Sequence, residues 1–338
     1  MTGSQRKVVM SGMRPTGRLH LGNLWGALRK WVSIQDEYEC YFAVADWHML
    51  TTAYDRTEDL GSNVQEMVLD WLAAGLDPAK CVIFRQSRVP EHAELHLLLS
   101  MVTPLSWLEN NPTWKESLAE LSKTKHADIR THGFLGYPVL QAADILIYGA
   151  DLVPVGQDQL PHLEISREIA RRFNGLYGGV LVEPRAMPTE AARVPGTDGR
   201  KMSKSYGNTV DIFEEPDSLE AKASGMYTDP TRARATDPGH PEPCPENPPG
   251  CSVFALHKLY NPGWEARGAE CRAGAIGCVS CKGDLLRRLE EPFEAFRVKR
   301  RLYDARTVEG ILQEGSVKAR QKAALTLESV RKAMKLTP

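Results

Sequence analysis

No run of apolar residues in the chain approaches the ~18 that a membrane-spanning helix needs, and Met1 to Met10 is polar and then only briefly apolar, too short for the core of a secretion signal. A soluble cytoplasmic protein with no membrane partner is therefore expected. Net charge is lacking as well. Its 42 Lys and Arg against 43 Asp and Glu leave a formal charge of −1, so there is no global positive field, and any contact with nucleic acid must come from local patches. Internal repeats and low-complexity tracts are absent, which sets aside solenoids and disordered linkers. The chain also has neither a Walker A loop nor a Gly-x-Gly-x-x-Gly turn, so phosphate must be held by other means. What remains is ordinary globular material. At 338 residues, 42% hydrophobic and 25% charged, it can bury one large core and a smaller one without disulfide staples.

Short apolar runs alternate with helical patterns through the first half. Lys7 to Met10, Tyr41 to Val44, Cys81 to Phe84 and Leu152 to Val155 are rich in β-branched or aromatic residues and predict buried strands. The clearest helix starts at Thr57 as N-cap, carries Leu60, Val64, Val68, Trp71 and Leu72 on one face, and stops at Gly75. Such alternation predicts an α/β fold with a Rossmann-like, doubly wound parallel sheet. From Asp229 to Gly250 turn-forming residues predominate, as in a long surface excursion. Leu285 to Pro338 reads as helical throughout, with Leu289, Phe293 and Phe296 on one face and Val317, Ala324, Leu325 and Leu327 on a later one.

Two segments carry chemistry by their position. Pro15-Thr16-Gly17-Arg18-Leu19-His20-Leu21-Gly22-Asn23 follows the first strand and opens the first helix. A helix start at the carboxyl end of a parallel strand offers free N–H groups and a partial positive charge, where nucleotide phosphates bind. His20 could add a donor at an α-phosphate, and Gly22 would let a base or ribose approach the backbone. The plainer alternative is a strand-to-helix turn with a surface histidine. The second segment, Gly196-Thr197-Asp198-Gly199-Arg200-Lys201-Met202-Ser203-Lys204-Ser205, sets glycines before lysines in a serine-rich loop without apolar periodicity. That composition suits a mobile flap closing on polyphosphate.

Together these segments resemble the two signature motifs of the class I aminoacyl-tRNA synthetases. The ending in Asn23 is similar to the tryptophanyl branch, as are Ser11-Gly12, Ala45-Asp46-Trp47-His48, Tyr137 to Asp144 and Val153-Pro154-Val155-Gly156-Gln157-Asp158-Gln159. The resemblance spans essentially the whole chain. It implies a Rossmann catalytic domain over 1–208 ending in the flap, and a mainly helical anticodon-binding domain over 209–338 that holds a Cys-rich segment, 244–281. It also implies a homodimer and a two-step reaction: ATP with Mg2+ converts L-tryptophan to its adenylate, and the product is passed to tRNA(Trp). His20, Asn23, Lys201 and Lys204 are the expected catalytic residues. ATP is expected to meet Arg14, Thr16, Gly22, Asn23, Gly156, Asp158, Gln159, Lys201, Met202, Ser203 and Lys204. A tyrosyl enzyme is the nearest rival, and a synthetase-like protein that senses tryptophan or RNA without charging is another.

The amino-acid pocket can be argued from residues too. From Tyr137 to Tyr148 the chain is apolar nearly all round, so this helix should be buried, yet Tyr137, Gln141 and Asp144 fall on one face. Burying them unpartnered would cost ~1 to 3 kcal/mol each. Either an internal hydrogen-bond network or a ligand supplies the partners. An indole N–H is a donor only, so the Asp144 carboxylate fits it, with Tyr137 and Gln141 at the ammonium end. The resemblance adds Met10, Gly12, His48 and Gln157 to this pocket. His162 follows Pro161 where the family has glutamine before histidine, a change the first helical turn tolerates.

Five of the seven cysteines crowd into one stretch, which in an intracellular chain suggests metal. Cys271, Cys278 and Cys281 leave six and then two residues between ligands. This spacing resembles an iron-sulfur-binding bacterial subset of tryptophanyl enzymes, with a 4Fe-4S cluster on four cysteines. The fourth is Cys251 or Cys244, and the context around Cys251 is the better match. Zinc is the alternative metal, and an empty reduced site the third possibility. Loss of such a site is expected to impair RNA charging and to spare tryptophan activation. Arg297, Lys299, Arg300 and Arg301, then Lys318, Arg320 and Lys322, then Arg331, Lys332 and Lys335 are basic clusters suited to RNA, or simply solvated helix faces. His92 and His96 share a helix face at i and i+4, but without a third ligand they do not make a metal site.

Overall fold

The computed structural model describes residues 6–112, 114–115, 130–156, 159–188 and 194–337. Strands β1 (Val8–Met13), β2 (Glu39–Val44), β3 (Val82–Arg85), β4 (Leu152–Val155) and β5 (Arg185–Pro188) form one sheet. Their order is β3-β2-β1-β4-β5. Every ladder is parallel: Met10 pairs with Tyr41, Tyr41 with Val82, and Leu152 with Arg185, while β1 meets β4 at Val9 and Leu152. The order reverses between β1 and β4, which makes their carboxyl ends the place where a doubly wound sheet binds ligands. The four expected strands are present, and β5 is an addition. The predicted helix is Leu60–Ala74, ended by Gly75 at φ +112°. No described helix is long and apolar enough to cross a membrane.

By its contacts the chain divides into two compact units, one of Met1–Gly17, Lys30–Glu190 and Tyr303–Pro338, the other of Arg18–Arg29 and Ala191–Leu302. This differs from a boundary at residue 208 in three places, one being that the flap segment groups with the later residues and not with the sheet. The last helix, Ala305–Ala333, belongs with the sheet. A methyl group at Gly315 would sit 1.8 Å from the Ile83 carbonyl oxygen, so only glycine lets this helix lie against β3. Its Ala319, Ala323, Leu327 and Val330 join the core of the first unit with Phe84, Leu95 and Tyr148. Conversely, Arg18–Arg29 groups with the later residues. Leu21 N–H donates to Val210 O at 2.9 Å and Ile212 N–H to Leu19 O at 3.0 Å, a main-chain pairing across most of the sequence.

The C-terminal region also departs from an unbroken helix. Helices Cys278–Arg300 and Ala305–Ala333 are separate, the second capped by Asp304, whose carboxylate accepts from Thr307 N–H. Val308, Leu312, Ser316, Ala319, Ala323, Leu327 and Val330 form the buried face of the second, whereas Val317 and Leu325 are exposed. The core face follows the 3.6-residue period from Val308; the expected face was in part the wrong side. Asp229 to Gly250 contains no helix or strand, as its turn-rich composition predicts.

Candidate active site

In the first unit the polar stripe lies on helix His132–Leu146, as expected, and Asp144 on it is 5% exposed. Its partners are internal. His92 Nδ1 lies 2.6 Å from Oδ1, His48 Nε2 2.9 Å from Oδ2, and Gln86 Nε2 donates to both oxygens at 2.8 Å. Burial alone pushes this carboxyl up, but the His92 imidazole and the bonds from His48 and His92 outweigh it and hold the pKa below the usual range. The ionised carboxylate only accepts, so the nitrogens facing it carry protons. His92 Nε2 in turn lies 2.7 Å from the hydroxyl of Tyr148, which burial and then Asp144 keep protonated.

Sheet ends position these donors. Helix Asp46–Ala53 starts just beyond β2, and its buried Asp46 accepts from Arg85 Nε at 2.6 Å and from Ser87 N–H at 3.0 Å. Gln86 Oε1 accepts from Trp47 N–H at 3.1 Å, which ties the start of that helix, with His48 one residue on, to the end of β3. Gln86 and His92 were missed as partners of Asp144. The His92 and His96 pair gave the nearest signal, since a histidine on a buried helix face needs a partner.

At the other end of the stripe Tyr137 Oη lies 2.9 Å from His162 Nε2, and Asn111 Nδ2 is 3.0 Å from His162 Nδ1. His162, which keeps the family's histidine beside the departure at Pro161, thus fixes Tyr137. Gln141, between the two ends, is half-buried; Met10 is buried within β1, and Gly12 is exposed at its carboxyl end. Arg14 Nη1 donates to Thr52 Oγ1 at 3.2 Å, while Thr16 N–H bonds Arg14 O and Gln159 N–H bonds Gly156 O. Gln157 and Asp158 lie outside the described residues.

The second unit holds the flap segment and the first signature segment from Arg18 onward, including His20, Gly22 and Asn23. Asn23 Oδ1 accepts from His20 N–H at 3.1 Å and so caps the turn that presents the imidazole. A methyl at Gly22 would be 2.9 Å from two atoms of the His20 ring, so the first thing this glycine makes room for is His20 itself. Burial, then the Lys204 charge, lower the His20 pKa to about 4, which keeps the ring neutral. Its Nδ1 is buried with no partner among the described residues.

Lys201 and Lys204 are exposed, Met202 is buried and Ser203 half-buried. The loop is not slack: Pro195 bridges Lys201, and Gly196 N–H bonds Arg200 O at 2.7 Å. Asp211, opposite His20 in an isolated bridge, has its carboxyl pushed up by burial and by Glu214.

Four thiols of the second unit are neighbours. Burial, and after it the other three, raise Cys281 to about 12; burial first and Cys271 and Cys278 later raise Cys251 to about 11. Arg232 Nη1 lies 3.8 Å from Cys271 Sγ and 3.9 Å from Cys278 Sγ. The Cys244 thiol donates to the Glu246 carboxylate. Among the described residues no three His, Cys, Asp or Glu are gathered as a group that could hold a metal ion.

Comparison with known proteins agrees with this reading. Residues 3–294 match the family model described as tRNA synthetases class I (W and Y). The chain is 49% identical to a tryptophan–tRNA ligase of Thermotoga maritima, over 97% of the chain and 99% of the relative, and 46% identical to that of Aquifex aeolicus with the same coverage. A crystal structure of tryptophanyl-tRNA synthetase from Campylobacter jejuni, complexed with ADP and tryptophan, aligns with TM-score 0.81 at 33% identity, over 97% of this chain and 99% of that one. With its parallel sheet, its paired signature segments and a match over most of its length, the chain belongs to the class I tRNA synthetases of the tryptophan and tyrosine family.

Proposed function

We propose that the chain activates L-tryptophan with ATP, forming tryptophanyl-adenylate and diphosphate, and transfers the tryptophanyl group to tRNA(Trp). The observation that carries this reading is His20: a neutral imidazole with a buried, unpartnered Nδ1 beside Lys204. A buried polar atom without a partner calls for a ligand, and an N–H there suits a phosphate oxygen. The tryptophan carboxylate attacks the α-phosphorus while diphosphate leaves with Mg2+. Positioning and charge stabilisation by His20, Asn23, Lys201 and Lys204 supply the catalysis, and no covalent enzyme intermediate is required. Arg14, Thr16, Gly22, Gly156, Asp158, Gln159, Met202 and Ser203 are proposed to hold the nucleotide.

Tryptophan is the preferred substrate because relatives 49% and 46% identical over nearly the whole chain are tryptophan–tRNA ligases. A carboxylate has about four acceptor positions. His92 and Gln86 bond one oxygen of Asp144 and His48 and Gln86 the other, so an indole N–H would take the place of one of these donors, with Gln86, which is shared between both oxygens, the one best able to yield. Tyr137, Gln141, Met10, Gly12 and Gln157 would complete the pocket. ATP–diphosphate exchange driven by tryptophan and not by tyrosine, with charging of tRNA(Trp), is the expected result. Exchange driven by tyrosine would assign the tyrosyl branch, and tryptophan binding with neither exchange nor charging would assign a sensing protein.

The reading extends to a homodimer working in the cytoplasm, with the anticodon met by helical segments after residue 208. We further propose that Cys251, Cys271, Cys278 and Cys281 form a metal site, with a 4Fe-4S cluster ahead of zinc. In support, one guanidinium N–H of Arg232 faces the sulfurs of both Cys271 and Cys278, a cation that would offset thiolate charge, although among the described residues the cysteines are not gathered as a group that could hold a metal ion. A bound cluster would cross-link a segment poor in apolar residues. Anaerobically purified protein should be brown, absorbing near ~400 nm with about four irons per chain. One zinc in colourless protein would replace the cluster, and metal-free protein with full charging activity would remove the site.

A further inference from the structure

The lysines of the flap are exposed, yet the loop that carries them is organised around one inaccessible side chain. Asn208 is 2% exposed. Its Nδ2 donates to Asp198 Oδ1 at 2.7 Å and to Lys201 O at 3.1 Å, and its Oδ1 accepts from Ser203 N–H at 2.8 Å. Its carbonyl accepts from Thr197 N–H at 2.9 Å. One primary amide thus uses both of its donors and an acceptor lone pair on three points of the loop. Lys201 is gripped through its own carbonyl, and Lys204 follows the residue whose amide Asn208 holds.

Gly196 makes the arrangement possible. A methyl there would lie 2.1 Å from Nδ2 and 2.3 Å from Cγ of Asn208, so only a residue without a side chain leaves room for the amide. The first glycine of the segment thus serves the buried amide as well as the mobility of the loop. Two further contacts fix the rim: Asp198 also accepts from Arg200 N–H at 3.0 Å, and Gly207, at φ +64°, turns the chain into Asn208.

We infer that Asn208 is the positioning residue of the flap, setting where the ammonium groups of Lys201 and Lys204 stand during activation. This rests on the proposal that those lysines act on ATP. Asparagine is suited to the task because it bridges a carboxylate, a carbonyl and an N–H without introducing charge. Aspartate of the same size would lose both Nδ2 bonds and set a second carboxylate against Asp198. A displacement of about 1 Å at a catalytic group can cost ~100-fold in rate, which is the scale to expect.

Diphosphate exchange by Asn208→Ala, Asn208→Asp, Gly196→Ala, the Gly196→Ala/Asn208→Ala double variant and Lys204→Ala, together with thermal unfolding of each, tests this. Both Asn208 variants should lose at least tenfold in kcat, measured well below their unfolding midpoints, which the broken buried bonds will lower, while KM for tryptophan stays near the parental value. Gly196→Ala should act by displacing the amide. It should therefore be costly alone and add little in the Asn208→Ala background, where the space is already empty. Parental kcat in Asn208→Ala, a loss no greater than the fraction unfolded at the assay temperature, or fully additive effects in the double variant would overturn the inference. Parental kcat in Lys204→Ala would instead overturn the flap reading on which it rests.

Discussion

Asp144 and Asn208 are both almost inaccessible, at 5% and 2% exposure, and each gathers bonds from several segments, yet they organise different kinds of structure. Asp144 is an ionised acceptor whose donors come from separate elements of the sheet unit: His48, Gln86 and His92. Asn208 is neutral and binds a single loop to itself, with Asp198, Lys201 and Ser203 within ten residues of it. A charge fixed in a packed core suits reading a bound substrate, because it cannot move without unmaking the core. A neutral pin under an exposed loop suits groups that act on charge developing in the transition state. The sheet unit should thus control tryptophan KM, and the flap should control kcat.

The largest effect that can break this comparison is at Asp144. Asp144→Ala should raise KM for tryptophan by roughly 100-fold or more, since a site built around a substrate N–H fails without its acceptor. KM for ATP should change little. The same change leaves the buried Nδ1 of His92 without its acceptor, at ~1 to 3 kcal/mol of stability, so unfolding must be measured with it. Unchanged tryptophan affinity in calorimetry removes Asp144 from the pocket. Next in size, Lys201→Ala or Lys204→Ala should lower exchange kcat on the order of 100-fold, as for the loss of one transition-state donor, with tryptophan binding nearly intact. A rise in tryptophan KM without loss of kcat would reverse the assignment of roles.

The two residues also differ in how far the sequence alone discloses them. Alternating runs mark four strands because each is buried on both faces and therefore apolar. β5, Arg-Ala-Met-Pro, carries no such mark, since among the described residues it pairs only with β4, and an edge strand tolerates arginine and proline. The polar stripe on Tyr137, Gln141 and Asp144 is visible in a buried helix, but which side chains satisfy Asp144 is not, because His48, Gln86 and His92 come from elements adjoining other strands. Likewise the lysines of the flap carry a legible motif, whereas Asn208 looks like the end of a Gly-Asn turn. Its role depends on the room left at Gly196 by the fold of the loop. Pairing of Leu19–Leu21 with Val210–Ile212 is main-chain bonding and leaves no mark in side-chain pattern. Gly315 is the one available hint that the last helix packs on a strand.

His20 gives a smaller effect, expressed in pH. Its folded pKa is about 4 against an ordinary 6.5. Above pH 6.5 neither the folded nor the unfolded chain is protonated there, and the group contributes nothing to pH dependence. Between those two values the unfolded chain binds a proton that the folded chain refuses, so stability falls as the solution is acidified through that window. Exchange kcat should accordingly show no His20 titration between pH 6 and 8, and a histidine Cε1–H resonance absent from His20→Asn should titrate near the lower value. Lys204→Ala should move that midpoint upward, because the ammonium is one of its two causes. A midpoint near 6.5 that ignores Lys204 would separate the two signature segments.

The smallest expected effect tests how far the flap is independent of the cysteine segment. Ser252, the residue after Cys251, is 1% exposed and donates its hydroxyl to Gly196 O at 2.9 Å. Its amide donates to Tyr227 O, and Tyr227 N–H to Thr197 O at 2.7 Å. Cys251 Sγ reaches the same Tyr227 carbonyl at 4.0 Å. The base of the flap is thus tied to the thiol-bearing chain through bonds that do not involve Asn208, so a disturbance at the cysteines should reach activation as well as RNA charging. Ser252→Ala removes one neutral hydrogen bond, worth ~0.5 to 1.5 kcal/mol net, and if that difference is felt in the transition state exchange kcat falls about 2- to 10-fold. Combined with Asn208→Ala the loss should be less than multiplicative, since both hold the same loop. Cys251→Ala should lower exchange by a similar small factor. Charging defects in Ser252→Ala and Cys251→Ala with fully parental exchange would show that the ties do not reach the lysines, and would return the cysteine segment to a role in RNA binding alone.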